Sequence, residues 1–241
     1  MLKILDIEAI SAEAEKVDAP VLVDNTFASP FFQRPLELGA TLSLSSTTKY
    51  VNGHSDCLGG VVVTNEASWQ EKMLFAQKAI GLNPSPFDTW LIGRGVKTLA
   101  IRMRTHHDNA LLIAERLEGC QAIRWVRHPF LPSHPHFELA KRQMEGGSGI
   151  VTFELDANLE TTVEFVSALS IFSLAESLGG FESLVDHPAS MTHFSIPRAE
   201  REQVGITDGL VRLSVGIEAV EDLVADLDDA LGRAGLPRLG V

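Results

Sequence analysis

A chain of 241 residues, 45% hydrophobic and 22% charged, has the texture of a soluble globular protein sized for one large domain or two modest ones. Its formal net charge of -12 works against a sequence-independent grip on nucleic-acid phosphates, which needs clustered Lys and Arg, so an enzyme acting on small molecules is the better expectation. Two cysteines, Cys57 and Cys120, stand far apart with no Cys or His at ligand spacing; they suggest neither a disulfide framework nor a zinc site and fit a reducing cytoplasm.

The opening residues Met1 to Asp6 carry too short an apolar run for a signal peptide, and no stretch of about 18 apolar residues occurs, so no membrane span is predicted. A helix is predicted from Ile7 to Val17, where Ala, Glu and Ser suit an exposed surface. Pro20 then introduces the strand Val21-Leu22-Val23. Leu42-Ser43-Leu44 and Gly60 to Thr64 supply two more short strands, and their alternation with helices points to α/β construction. Trp69, Met73, Ala76 and Ile80 repeat at helical spacing, as do Leu99, Met103, Ala110, Ala114 and Leu117 in a long helix stopped by Gly119. Pro129, Pro132 and Pro135 mark loops, after which Ile150 to Leu155 and Leu210 to Val215 alternate as strands of a second domain. In the latter, Val211, Leu213 and Val215 share one face and Arg212 and Ser214 the other. The last helix, Val220 to Leu231, sets Leu223, Leu227 and Leu231 beneath an acidic outer face, and the Gly/Pro tail after it is expected to fray.

The densest chemical signal is Ser45-Ser46-Thr47-Thr48-Lys49-Tyr50. Hydroxyls and backbone N–H groups in such a turn can hold a phosphate ester, and a partly desolvated lysine can attack an aldehyde, although a Ser/Thr-rich turn beside a surface lysine is commonplace. Asp24 ends a buried strand, where a carboxylate can pair with a protonated pyridine nitrogen or simply start a turn. Arg212 suits bidentate capture of a carboxylate, with an exposed edge-strand arginine as the alternative. His106 and His107 are placed on the polar side of the long helix and His128, His134 and His136 in a Pro-rich loop; none has metal-ligand spacing, and no metal is expected. Neither a G-x-G-x-x-G fingerprint nor a G-x-S-x-G elbow occurs.

Longer strings carry a resemblance. Val23-Asp24-Asn25-Thr26-Phe27, Ser46-Thr47-Thr48-Lys49-Tyr50-Val51-Asn52-Gly53-His54-Ser55-Asp56, Arg94-Gly95-Val96-Lys97-Thr98-Leu99, Leu174-Ala175-Glu176-Ser177-Leu178-Gly179-Gly180, Met191-Thr192-His193 and Val211-Arg212-Leu213-Ser214-Val215-Gly216 occur in this order. Together they resemble the pyridoxal-phosphate (PLP) enzymes of Cys/Met metabolism, the family of cystathionine γ-synthase and cystathionine γ-lyase, over nearly the whole chain. The resemblance implies that Lys49 holds PLP covalently, that Ser46 and Thr48 bind its phosphate, and that Asp24, with Thr26 beside it, pairs with its pyridine nitrogen. Arg212 would take the substrate carboxylate with the help of Ser177, and Glu176 would lie near the distal end of the substrate. The implied fold is α/β, fold-type-I PLP-dependent transferase-like. Residues 1–95 would be the C-terminal remnant of the large cofactor domain, and 96–241 a connecting helix with a smaller α+β C-terminal domain. The implied activity is γ-elimination or γ-replacement on cystathionine or an O-acylhomoserine. Methionine γ-lyase or O-acylhomoserine sulfhydrylase activity, and a non-catalytic remnant or interaction module, are the alternatives. The expected partner is a small amino-acid substrate, in a homo-oligomer whose sites are shared between subunits, with no nucleic acid and no membrane.

One departure stands out. The family carries, ahead of the matched strings, a Gly-rich phosphate-binding turn, a tyrosine stacked on the cofactor ring and a Tyr-x-Arg segment reaching the neighbouring subunit, and the only tyrosine here is Tyr50. The chain is therefore expected to be the C-terminal portion of such an enzyme, weakly active or inactive alone, with a piece from about Ala122 to Leu231 able to stay folded.

Overall fold

A computed structural model describes residues 2–240. The Asp6 carboxylate accepts the N–H of Ala9 at 3.0 Å and so caps α1 (Ile7–Glu15), which buries Ile7 and Ser11. After Pro20 the chain forms β1 (Leu22–Asp24), the short α2 (Ser29–Phe32) and β2 (Leu42–Ser46). β1 and β2 pair in parallel, Asp24 opposite Leu44, so both strands deliver their C-terminal ends to the same side. β3 (Gly60–Val63) pairs antiparallel with β2 and completes a three-stranded sheet.

Two helices follow, α3 (Ala67–Ile80) and α4 (Pro86–Gly95), the latter capped by the Ser85 hydroxyl accepting from the Asp88 N–H at 3.0 Å. The spacing of Trp69, Met73, Ala76 and Ile80 is indeed helical, yet no residue of α3 is buried. The long α5 (Leu99–Glu118), which stops before Gly119, serves two packing clusters. Leu99 and Met103 join Phe32, Tyr50, Ile150 and Leu178. Ala110, Ile113, Ala114 and Leu117 lie in the main core.

That core packs against the second sheet. The chain runs through β4 (Ile123–Arg127), α6 (Phe137–Gln143), β5 (Ile150–Leu155), α7 (Leu159–Ala168), β6 (Ser173–Leu174), β7 (Leu184–Asp186), α8 (Arg198–Gln203), β8 (Leu210–Ser214) and α9 (Val220–Arg233), with strand order β4-β5-β8-β7-β6. β8 is thus the central strand, which rules out an edge position for Arg212; Thr152 of β5 and Asp186 of β7 stand opposite it on its two sides.

Three sequence expectations need correction. His106 is fully buried rather than on a polar side, its Nδ1 lying 2.8 Å from the Val215 carbonyl oxygen, because α5 is packed on both flanks near its start. The acidic face of α9 is not wholly outward: buried Asp226 accepts the N–H groups of Ser170, Ile171 and Phe172 at 2.8, 2.8 and 3.2 Å, satisfying donors that no strand partner reaches. The tail after α9 is pinned, since Leu236 and Leu239 pack on the main core and the Leu239 N–H donates to Asp228 at 2.7 Å. At the front, the Ile4 N–H donates to His136 at 3.1 Å and His134 meets the Leu2 carbonyl at 3.0 Å, so residues 2–7 run against the loop and helix of 128–143. Among the described residues no helix is long and apolar enough to cross a membrane.

Candidate active site

β2 hands the chain to a single π-turn, Thr47–Val51, a widening of the helix that recurs at functional sites. Lys49, at its middle, leaves helical dihedrals with φ -93° and ψ -134°. The turn is held from beneath. Tyr50 is fully buried and its hydroxyl accepts the Gly149 N–H at 3.0 Å. Arg102, buried in α5, donates to the carbonyl of Tyr50 in the turn at 2.7 Å and to that of Gly95 at the end of α4 at 2.9 Å, absorbing acceptors left free where each element ends. From the other side Gly179, at φ +76°, rides directly over Tyr50: a Cβ there would sit 2.9 Å from the Tyr50 nitrogen. Only glycine lets that loop seat. Its seating brings Ser177 to Lys49, whose Nζ donates to the Ser177 Oγ at 3.0 Å across a sequence separation of 128. Burial first, and then the nearby Arg212 charge, hold the Lys49 amine below its ordinary pKa, which enlarges the neutral, nucleophilic fraction.

A second chain of bonds ties the end of β1 to the start of the lysine turn. Asp24 Oδ1 accepts from the Thr26 N–H at 3.0 Å and from the Thr26 hydroxyl at 2.6 Å, and the Thr26 Oγ1 accepts the Ser46 N–H at 2.9 Å. The hydroxyls of Ser46 and Thr48 reach the Gly59 carbonyl only at 3.5 and 3.3 Å, the long end of hydrogen bonding. Thr48 Oγ1 also accepts the Gly59 N–H at 3.0 Å, so its oxygen is fixed while its proton, like that of Ser46, is weakly engaged and can turn to an anion. Arg212 and Asp24 line the same cavity of about 750 Å³, together with Phe27, Ser148 and Thr152. Arg212 Nη2 lies 3.1 Å from Asp186 Oδ2. Glu176 is exposed beside Ser177.

The structure therefore links Asp24, Thr26 and Ser46 in one chain of bonds and Lys49 with Ser177 in a second, and sets Arg212 on the wall shared with Asp24. Sequence reasoning missed Asp186, Arg102 and the anchoring of Tyr50; a carboxylate ending the apolar Leu184-Val185 pair was the one visible sign of Asp186. The donor set fits PLP. Lys49 supplies an amine of lowered basicity, Ser46 and Thr48 supply hydroxyls for a phosphate, and both Asp24 bonds fall on Oδ1, leaving Oδ2 for a pyridine nitrogen.

Residues 1–232 match the family model of the Cys/Met metabolism PLP-dependent enzymes. The chain belongs to that family. Cystathionine beta-lyase of Lactococcus lactis subsp. cremoris (strain MG1363) is 53% identical over 234 residues, 97% of this chain and 61% of the relative. Among solved structures, cystathionine gamma-lyase from Lactobacillus plantarum complexed with L-serine superposes with a TM-score of 0.92 at 45% identity, over 97% of this chain and 61% of that one. Cystathionine gamma synthase from Xanthomonas oryzae pv. oryzae, in complex with aminoacrylate and cysteine, gives 0.93 at 48% identity, over 97% and 60%. The fold is that of these fold-type-I enzymes, and the chain spans about three-fifths of the length of the relatives it matches.

Proposed function

We propose that this chain carries the lysine, the cofactor-holding residues and the carboxylate-binding arginine of a PLP-dependent transsulfuration enzyme, catalysing γ-elimination or γ-replacement on cystathionine or an O-acylhomoserine. The observation that carries the reading is the Lys49 amine, 3.0 Å from Ser177 Oγ and lowered in basicity by burial and by the charge of Arg212, the residue that shares a cavity wall with Asp24. In this reading residues 1–95 supply the cofactor side and 96–241 the substrate-carboxylate side, and the assembly is a cytoplasmic homo-oligomer with sites shared between subunits.

PLP, when bound, supplies an electron sink for the pair left as the substrate Cα–H bond breaks. Asp24 keeps a proton on the pyridine nitrogen, and Thr26 fixes the direction of that carboxylate. Ser46 and Thr48 turn their hydroxyls to the phosphate. Arg212 and Ser177 hold the substrate carboxylate and so set which bond at Cα stands ready to break. Lys49, once its amine is free, would take the Cα proton, give that proton up again, and only then, neutral once more, take a Cβ proton, which is the work of a general base of lowered pKa. Glu176, at the rim, faces the distal part of the substrate.

A second reading, β-elimination from cystathionine by the same groups, is favoured by the Lactococcus relative. Borohydride reduction with PLP followed by peptide mapping tests the shared core: the label is expected on Lys49 and lost in Lys49→Ala, and a label spread over surface lysines would reject the site. Products formed from cystathionine by the protein containing this sequence then separate the readings, 2-oxobutanoate for γ-elimination and pyruvate for β-elimination.

A further inference from the structure

Of the buried carboxylates, Asp226 accepts three backbone N–H groups, Asp228 accepts from Arg238 and Leu239, and Asp208 pairs with Arg201. Asp186 differs. It is 2% exposed, and among the described residues neither of its oxygens accepts a hydrogen bond. An ionised carboxylate out of water without a partner is costly, and among the described residues the cation paired with it is Arg212, with Nη2 at 3.1 Å from Oδ2. The pairing is built into the sheet, because Asp186 and Arg212 are directly opposite residues of β7 and β8. A guanidinium has five N–H donors in a rigid fork; here one nitrogen, Nη2, contacts Asp186, and the side chain still lines the cavity it shares with Asp24.

We propose that Asp186 is a positioning residue for capture of the substrate carboxylate: it steadies the Arg212 guanidinium so that its remaining N–H groups serve the cavity. This rests on the reading of Arg212 as the carboxylate binder. The physical reason is pre-organisation. A long, flexible side chain on a central strand, 24% exposed, would otherwise lose rotamer freedom each time a ligand binds. Burial pushes the Asp186 carboxyl above its ordinary range, and the Arg212 charge offsets part of that rise.

Phenylglyoxal modification of the 241-residue chain, read at the Arg212 peptide by mass spectrometry, tests both layers with PLP present. In the unaltered chain L-serine is expected to protect Arg212, and L-serinamide, which lacks the carboxylate, is not. In Asp186→Asn, Arg212 is expected to react severalfold faster and to need about tenfold more L-serine for half protection, as the buried charge facing the guanidinium is lost. Asp186→Glu is expected to restore most of the protection, which a role in packing alone would not, and it carries the test if the Asn variant does not fold. Unchanged rate and unchanged protection in Asp186→Asn, or no rescue by Glu, would overturn the proposal. Absence of L-serine protection in the unaltered chain would overturn the Arg212 reading beneath it, whatever the modification rates show.

Discussion

Asp24 commits one carboxylate oxygen to the Thr26 N–H and hydroxyl, so its direction is fixed before any cofactor arrives. Asp24→Asn keeps the size but cannot stabilise a pyridinium. In the PLP-loaded protein containing this sequence it is expected to lower turnover by orders of magnitude while leaving the thermal midpoint almost unmoved, since Asp24 is exposed; steady-state rates and calorimetry on the same samples check both halves. At this scale the sequence was informative wherever a residue's role depends on its own chemistry and near neighbours. Asp24, Thr26, Ser46, Thr48 and Lys49 lie within 26 residues of one another in number and could be read as strings. Arg102 and Asp186 could not. The first acquires its role by passing beneath Tyr50, 52 residues away, and the second by strand pairing with Arg212, and neither relation leaves a local pattern.

The π-turn and the Gly179 loop act as one device, a clamp in which the backbone of one element is shaped by the absence of a side chain on the other. Gly179→Ala would demand φ +76° of an alanine and place its Cβ 2.9 Å from the Tyr50 nitrogen. A stability loss of about 1–3 kcal/mol is expected, with the Lys49–Ser177 bond lengthened, and denaturant titration with side-chain NMR of Lys49 measures each. Periodicity located helices well and their surroundings badly. α3 has the expected spacing but buries nothing, because a 3.6-residue repeat announces a face without saying whether anything covers it. In α9 the reverse holds: Asp226 reads as solvated yet is buried, because three unpaired N–H groups of another segment need an acceptor there.

Over the whole molecule, buried imidazoles set the response to acid. Burial lowers His128 to about 3 and His106 to about 4. Their folded pKa values lie below that of the unfolded chain, near 6.5, so the unfolded state binds more protons; the stability they contribute is complete above pH about 6.5 and falls as pH drops towards 3 or 4. The unfolding midpoint should therefore be flat between pH about 7 and 8 and decline below about 6.5, and a neutral His128→Gln should shallow that decline while costing some stability at pH 7. Scanning calorimetry across the series checks the slope, and a midpoint rising on acidification would contradict it. The bond between Lys49 and Ser177, spanning 128 residues, has a further consequence in time. An emerging chain that has made the lysine turn but not yet the loop bearing Ser177 or the strand bearing Arg212 holds an ordinary, hydrated ammonium at position 49. The neutral, nucleophilic fraction of that amine therefore grows as the fold closes around it, rather than at the moment the lysine is synthesised.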